Sequence, residues 1–125
     1  MIVAVGVDAV AIERVRRLLR GNGTRFRQRV FTADEIAYCD GRHDPAESFA
    51  ARFAAKEAVM KCLGTGWAQG VGFRDVEVRR EPSGAVALLL HGDAATVAAA
   101  RAVRRWHLSL SHTAHDAIAF VVAEG

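Results

Sequence analysis

Cysteine is scarce in this sequence: Cys39 and Cys62 are the only two, and their separation fits no metal-ligand spacing. Both fall in stretches of helical periodicity and read as free thiols of a reducing cytosol, Cys62 as a small packing residue. Long apolar runs are missing too, and no segment approaches the roughly 20 residues that span a bilayer. The first residues carry no basic region and reach Asp8 too early for a secretion signal, so a cytoplasmic protein without a membrane partner is expected. Repeats, linkers and low-complexity tracts are absent. The 125 residues are therefore expected to form one domain, 1–125, large enough for a real core. Aromatics are few where positive charge is densest. Between Arg14 and Arg29 only Phe26 could stack on a base, whereas nucleic-acid-binding modules interleave several.

What the chain does have is 51% apolar residues, a net charge of +3 and a concentration of arginine between Arg14 and Arg29. The composition is that of a globular protein, and the arginines call for an acidic partner or a polyanion.

The order of elements predicts an α+β fold. Residues 2–7 are apolar and rich in β-branched side chains, which predicts a buried strand ending at Asp8. Ile12, Val15, Leu18 and Leu19 keep helical spacing, with Arg14, Arg17 and Arg20 outward and Gly21-Asn22-Gly23 as the stop. Thr32 and Glu35 form a capping box for a short helix to about residue 40. A long central helix is predicted over 46–63, with Gly64 as its terminator and Gly64-Thr65-Gly66 as a loop. Two strands flank the Pro82-Ser83-Gly84 turn, and Asp93 is expected to cap a helix reaching about residue 104. Leu108 and Leu110 alternate with Ser109 and Ser111 in a strand. Ser111-His112-Thr113 then turns into a last strand over 118–122.

The central helix carries the strongest signal. Phe49, Phe53, Met60 and Leu63 form one stripe, and Ala51, Ala54, Ala55, Ala58 and Cys62 form a small-residue face that a second backbone could approach. Such a helix is buried on most of its circumference. Yet Lys56 falls in the large apolar stripe, Arg52 at its edge, and Glu57 and Lys61 between the two faces. An i,i+4 ion pair explains Glu57 with Lys61 alone. Four charges within ten residues, three of them basic, fit an anionic ligand better, because buried charge is costly unless matched.

Asp8, Glu57 and His112 are the places where chemistry could sit. Two carboxylates from separate elements suit a hard cation such as Mg²⁺, with Arg52, Lys56 and Lys61 as phosphate partners. Asp8 could equally cap the helix after it, and His112 could be a plain turn residue. Ser111-His112 has no acid at triad spacing, and Gly64-Thr65-Gly66 falls far short of a P-loop. The residues by themselves point to a metal-assisted phosphate or nucleotide enzyme.

Several segments in order resemble one family. They are Gly6-Val7-Asp8 with Ile12-Glu13-Arg14, and Phe31-Thr32-Ala33-Asp34-Glu35. Then come Arg52-Phe53-Ala54-Ala55-Lys56-Glu57-Ala58 through Lys61, and Leu63-Gly64-Thr65-Gly66. Phe73-Arg74-Asp75-Val76-Glu77-Val78 and Leu108-Ser109-Leu110-Ser111-His112-Thr113 complete the set. Together they resemble the small bacterial holo-[acyl-carrier-protein] synthases, a type of 4′-phosphopantetheinyl transferase. The chain departs from the family pattern at Ala4, at Cys62, and at Ala85-Val86 after the hairpin glycine.

The resemblance implies a small antiparallel sheet packed against the buried central helix, and a homotrimer with active sites between subunits. It implies transfer of the 4′-phosphopantetheine arm of coenzyme A to a serine of an acidic apo carrier protein, as in fatty acid biosynthesis, releasing adenosine 3′,5′-bisphosphate. Asp8 and Glu57 match the Mg²⁺ ligands and, with Lys61, the catalytic set. Arg52, Lys56, Lys61, Gly64, Thr65, Ser111, His112 and Thr113 are the expected coenzyme A contacts, with Lys61 near the diphosphate. Arg14, Arg17, Arg20 and Arg25 are the expected docking residues for the carrier protein. Two other readings stay in view: a metal-dependent coenzyme A pyrophosphatase, which needs no carrier, and a non-catalytic basic nucleic-acid-binding domain.

Overall fold

The computed structural model describes residues 1–65 and 70–125. Strand β1 (Ile2–Ala11) leads into α1 (Ile12–Arg20), α2 (Gly23–Val30), α3 (Ala33–Asp40) and the long α4 (Pro45–Leu63). A 3₁₀ turn at Phe73–Asp75 precedes the hairpin β2 (Val76–Arg80) and β3 (Val86–Leu90). Helix α5 (Gly92–Ala100) and strands β4 (Arg105–His112) and β5 (Asp116–Glu124) complete the chain. The main sheet is antiparallel with order β1-β5-β4, and β2-β3 form a second, two-stranded sheet. The α+β class expected from the sequence holds.

Helix α4 is the centre of the molecule. Its large stripe packs into an aromatic cluster, with Phe53 between Phe26 and Phe73 and Phe49 against Phe31. Its small face lies on the sheet, against the inward side chains of β5 at Ala117, Ala119, Val121 and Ala123. Gly6 shows how close that approach is: a Cβ there would fall 2.2 Å from the Ala58 carbonyl oxygen and 3.0 Å from Cys62 Sγ. The small-residue face was legible, and a backbone occupies it. Gly64 ends the helix in the left-handed region at φ 71°.

Several boundaries differ from the sequence reading. Strand β1 continues past Asp8 to Ala11, so Asp8 lies inside a strand and caps nothing; the α1 N-cap is Ala11, without a side-chain bond. The strand is buried on one face only. Gly6 and Val10 point inward, whereas Val3, Val5 and Val7 are 41%, 57% and 55% exposed. The continuous apolar run predicts a buried strand, but among the described residues of one chain the outer face stays uncovered. Helix α2 was not anticipated, because Gly-Thr-Arg-Phe-Arg-Gln-Arg-Val carries little apolar periodicity. Helix α5 starts after His91, not at an Asp93 cap, and stops at Ala100.

Candidate active site

Three of the expected residues meet where β1 packs on α4. Asp8 projects from the inward-facing row of β1, and one helical turn apart on α4 sit Glu57 and Lys61. The Lys61 ammonium donates to Asp8 Oδ1 at 3.0 Å and to the Val7 carbonyl at 2.9 Å. The close Gly6–Ala58 packing brings this stretch of β1 against α4. Glu57 is half-buried. Burial, and then the nearby Asp8 charge, push its carboxyl above the usual carboxylate range, against the opposing pull of Arg14 and Lys61. The two carboxylates are near enough for the charge of one to disfavour ionisation of the other. Among the described residues no third acid, histidine or cysteine joins them as a ready metal cage. Two carboxylates with open positions are the donor set that Mg²⁺ takes alongside substrate phosphate oxygens, so the residues fit that ion.

A second cluster surrounds Tyr38. The Arg52 guanidinium stacks on its ring at 4.3 Å, and Arg42 and Arg80 each lie 5.4 Å from the same ring. Arg52 is 3% exposed, and its Nε is buried with no hydrogen-bond partner among the described residues. An unsatisfied buried donor is expensive, which makes this cavity one that a ligand would complete. The cavity, about 250 Å³, is lined by Arg42, Glu47, Arg52, Arg80, Ser111 and His112, among others. His112 Nε2 sits 3.3 Å from Glu47 Oε1. Such a concentration of guanidinium groups with one facing acid has the chemistry suited to an anionic ligand.

Lys56 belongs to neither cluster. It is completely buried, and its ammonium donates to Glu35 Oε1 at 2.7 Å, to the Phe73 carbonyl at 3.1 Å and to the Val76 carbonyl. All three donors are used inside the protein, so the expected contact between Lys56 and a phosphate is corrected here: no ammonium proton is left for one. Desolvation pulls its proton affinity below that of an ordinary lysine, with Glu35 opposing.

The other expected contacts are dispersed. Gly64 lies at the exposed end of α4 near Arg101, and Thr65 is buried beside it. Gly66 of the expected loop lies outside the described residues. The Thr113 hydroxyl accepts from the backbone N–H groups of His115 and Asp116 and shapes the turn after His112. Tyr38, Arg42, Glu47 and Arg80 were missed by the sequence reading, since they come from three different segments with no shared spacing.

The arginine-rich stretch separates into two groups. Arg16 makes a two-pronged bond to Asp44 at 2.9 and 3.1 Å, and Arg27 binds Asp40, so both are neutralised internally. Arg17, Arg25 and Arg29 instead rim an apolar groove of about 330 Å³ floored by Leu18, Phe26 and Val30. Arg14, Arg17, Arg20 and Arg25, the expected docking residues, form no ion pair among the described residues. None of the described helices is long and apolar enough to cross a membrane.

A family model described as the 4′-phosphopantetheinyl transferase superfamily matches residues 4–120. A holo-[acyl-carrier-protein] synthase from Koribacter versatilis is 47% identical over 124 residues, 99% of each chain. The crystal structure of a holo-[acyl-carrier-protein] synthase from Neisseria meningitidis superposes with a TM-score of 0.91 at 32% identity, covering 100% of both chains. A holo-(acyl-carrier-protein) synthase structure from Bacillus anthracis, in complex with CoA (3′,5′-ADP), superposes with a TM-score of 0.82 at 34% identity over 100% of this chain and 98% of that one.

Proposed function

The chain belongs to the 4′-phosphopantetheinyl transferase superfamily as an enzyme of the holo-[acyl-carrier-protein] synthase type, and from that premise we propose how its residues carry out the transfer. The substrate is coenzyme A and the acceptor is a serine of an apo carrier protein. The serine oxygen forms a bond to the phosphorus that bears the pantetheine arm. The bridging P–O bond breaks, and its electron pair leaves with adenosine 3′,5′-bisphosphate. Asp8 and Glu57 would hold Mg²⁺, whose charge offsets that of the diphosphate. Lys61, exposed and held by Asp8, is placed to turn toward the leaving phosphate as a point charge or proton donor. A carboxylate of this cluster, or a water, takes the serine proton.

The observation that carries this reading is the Asp8–Glu57–Lys61 cluster, in which the two acids interact and Lys61 of α4 bonds to Val7 and Asp8 of β1. The Tyr38 pocket supplies Arg52, Ser111 and His112 for the remaining phosphate of the cofactor. These two clusters lie on different sides of α4. Arg52 and Lys61 are separated by roughly 180° around the helix and ~13 Å along it. Asp8 is on one edge strand of the main sheet and His112 on the other. With the helix between the halves, one coenzyme A is best served by carboxylates of one copy and arginines of the next. The exposed outer face of the sheet, with Val3, Val5, Val7 and Phe120, gives copies an apolar surface to share. The number of copies comes from the family resemblance rather than from the geometry, and the assembly proposed is a homotrimer with active sites between subunits.

The groove between α1 and α2 receives the carrier protein, Arg17 and Arg25 at its rim with Arg14 and Arg20 close by meeting its acidic surface. Exposed pairs are individually worth only about 0–1 kcal/mol, so this face governs encounter rate and salt dependence rather than the chemical step. One domain, 1–125, acting in the cytoplasm completes the proposal; Cys39 and Cys62, both buried free thiols, suit a reducing compartment.

Mass spectrometry of an apo carrier protein incubated with the enzyme, coenzyme A and Mg²⁺ tests it. The carrier should gain one phosphopantetheine, and Glu57→Gln should slow this by roughly a hundredfold or more with the fold intact. Cleavage of coenzyme A at an equal rate without the carrier would instead identify a pyrophosphatase.

A further inference from the structure

The buried pair Lys56–Glu35 has no part in the chemistry above, yet its bonds end on the elements that wall the Tyr38 pocket. Tyr38 lies three residues after Glu35 on α3, and Arg52 lies four residues before Lys56 on α4. Both intervals are one helical turn along the same face. Glu35 Oε2 accepts from the Val78 N–H at 2.8 Å, and Lys56 donates to the Val76 carbonyl, while Arg80 projects from the same strand β2. Glu35 Oε1 also accepts from the Thr32 N–H at 2.9 Å, closing the cap of α3. Three walls of the pocket, α3, α4 and β2, are thus tied at one buried point, one turn or two residues from the side chains that face the anion.

We infer that the Lys56–Glu35 pair is a positioning element for substrate binding: it fixes Tyr38, Arg52 and Arg80 relative to one another and so sets affinity for the anionic end of coenzyme A. This inference rests on the reading of the Tyr38 pocket as a coenzyme A subsite. It does not require Lys56 to touch the substrate. A simple fold-stabilising pair would be indifferent to ligand affinity once the protein is folded, whereas a brace on three pocket walls is not. Displacement of a binding group by about 1 Å is enough to cost a hundredfold in a preorganised site.

The test is the double variant Glu35→Gln with Lys56→Met, which removes both buried charges together and leaves neither uncompensated. In the folded enzyme, KM for coenzyme A and its Kd by calorimetry should both rise roughly ten- to a hundredfold, with kcat within about twofold. Glu35→Asp keeps both charges and shortens the reach by one methylene, so it reads the same effect if the double variant does not fold. Its KM should rise in the same direction by a smaller factor. Arg52→Ala, measured alongside, separates the two ideas. If Arg52→Ala leaves KM and Kd unchanged, the pocket is no coenzyme A subsite and that reading fails. If Arg52→Ala weakens binding while KM and Kd of the folded brace variants equal wild type, the positioning role is overturned.

Discussion

At the scale of single residues, Glu57 is the most exposed to experiment. Its carboxyl binds a proton more tightly in the fold than in an unfolded chain, first because it is desolvated and then because Asp8 is near. Over the pH range between the ordinary value of 4.5 and its raised one, the folded state therefore holds more protons than the unfolded state. The contribution of this group to stability falls as pH rises through that window. A divalent cation bound between the two acids reverses the penalty, because it competes with the proton. Thermal melts with and without Mg²⁺ across pH 4.5 to 8 should show a Mg²⁺-dependent gain in Tm that grows as pH increases. A gain that is flat with pH would contradict the pairing of Glu57 with the ion. Lys56 illustrates what a helical wheel conceals. Its place within an apolar stripe was visible, but its partner Glu35 lies 21 residues earlier and on another helix. Periodicity assigns a residue to a face and says nothing of which distant group meets it there, so an internal brace and a ligand contact looked alike.

Elements were more legible than contacts. The limits of α1, α3 and α4 follow from signals that act locally: the glycines after Arg20, the Thr32–Glu35 capping box, and Gly64 at positive φ. The end of α5 carried no such signal. Ala102 takes φ 61° and the Val103 N–H bonds back to the Ala98 carbonyl, a helix stop that ordinarily announces itself with glycine. Strand β1 and helix α4 depend on each other most strongly at Gly6. Its φ is unremarkable; what it supplies is the missing Cβ. Gly6→Ala would force apart the strand and the Ala58 carbonyl, with a destabilisation of about 1–3 kcal/mol expected from overpacking. Because Asp8 is two residues further along the same strand, the same variant should also weaken Mg²⁺ activation. Urea unfolding together with a Mg²⁺ titration of activity checks both. Unchanged stability would mean that the sheet and helix have room to separate.

The whole molecule carries a feature that no single element predicts. Even-numbered residues of β1 from Ala4 onward and odd-numbered residues of β5 face α4, leaving Val3, Val5, Val7 and Phe120 outward. A single copy keeps this face wet at a hydrophobic cost of about 25 cal/mol for each Å² left open. Phe120→Glu should shift the assembly toward single copies in light scattering, with transferase activity falling in parallel. A monomer that retains full activity would show that one chain contains the entire site. The fold class was readable because burial patterns repeat within segments. The separation of the two clusters was not readable from any local pattern, because Asp8 and His112 come from strands laid on either side of β5; a site shared between copies was implied only by the family resemblance.

The division proposed for the site has a genetic consequence. If Asp8, Glu57 and Lys61 of one copy work with Arg52 and His112 of another, a lesion in one half damages a single seam and leaves the other half of the same chain fit for service. Two alleles, each inert alone, one lacking its acidic half and the other its arginine, would restore some working seams when produced in the same cell. One damaged allele expressed beside a healthy one would reduce output only in proportion to its share of the chains, since each damaged chain silences one seam and serves normally in the other.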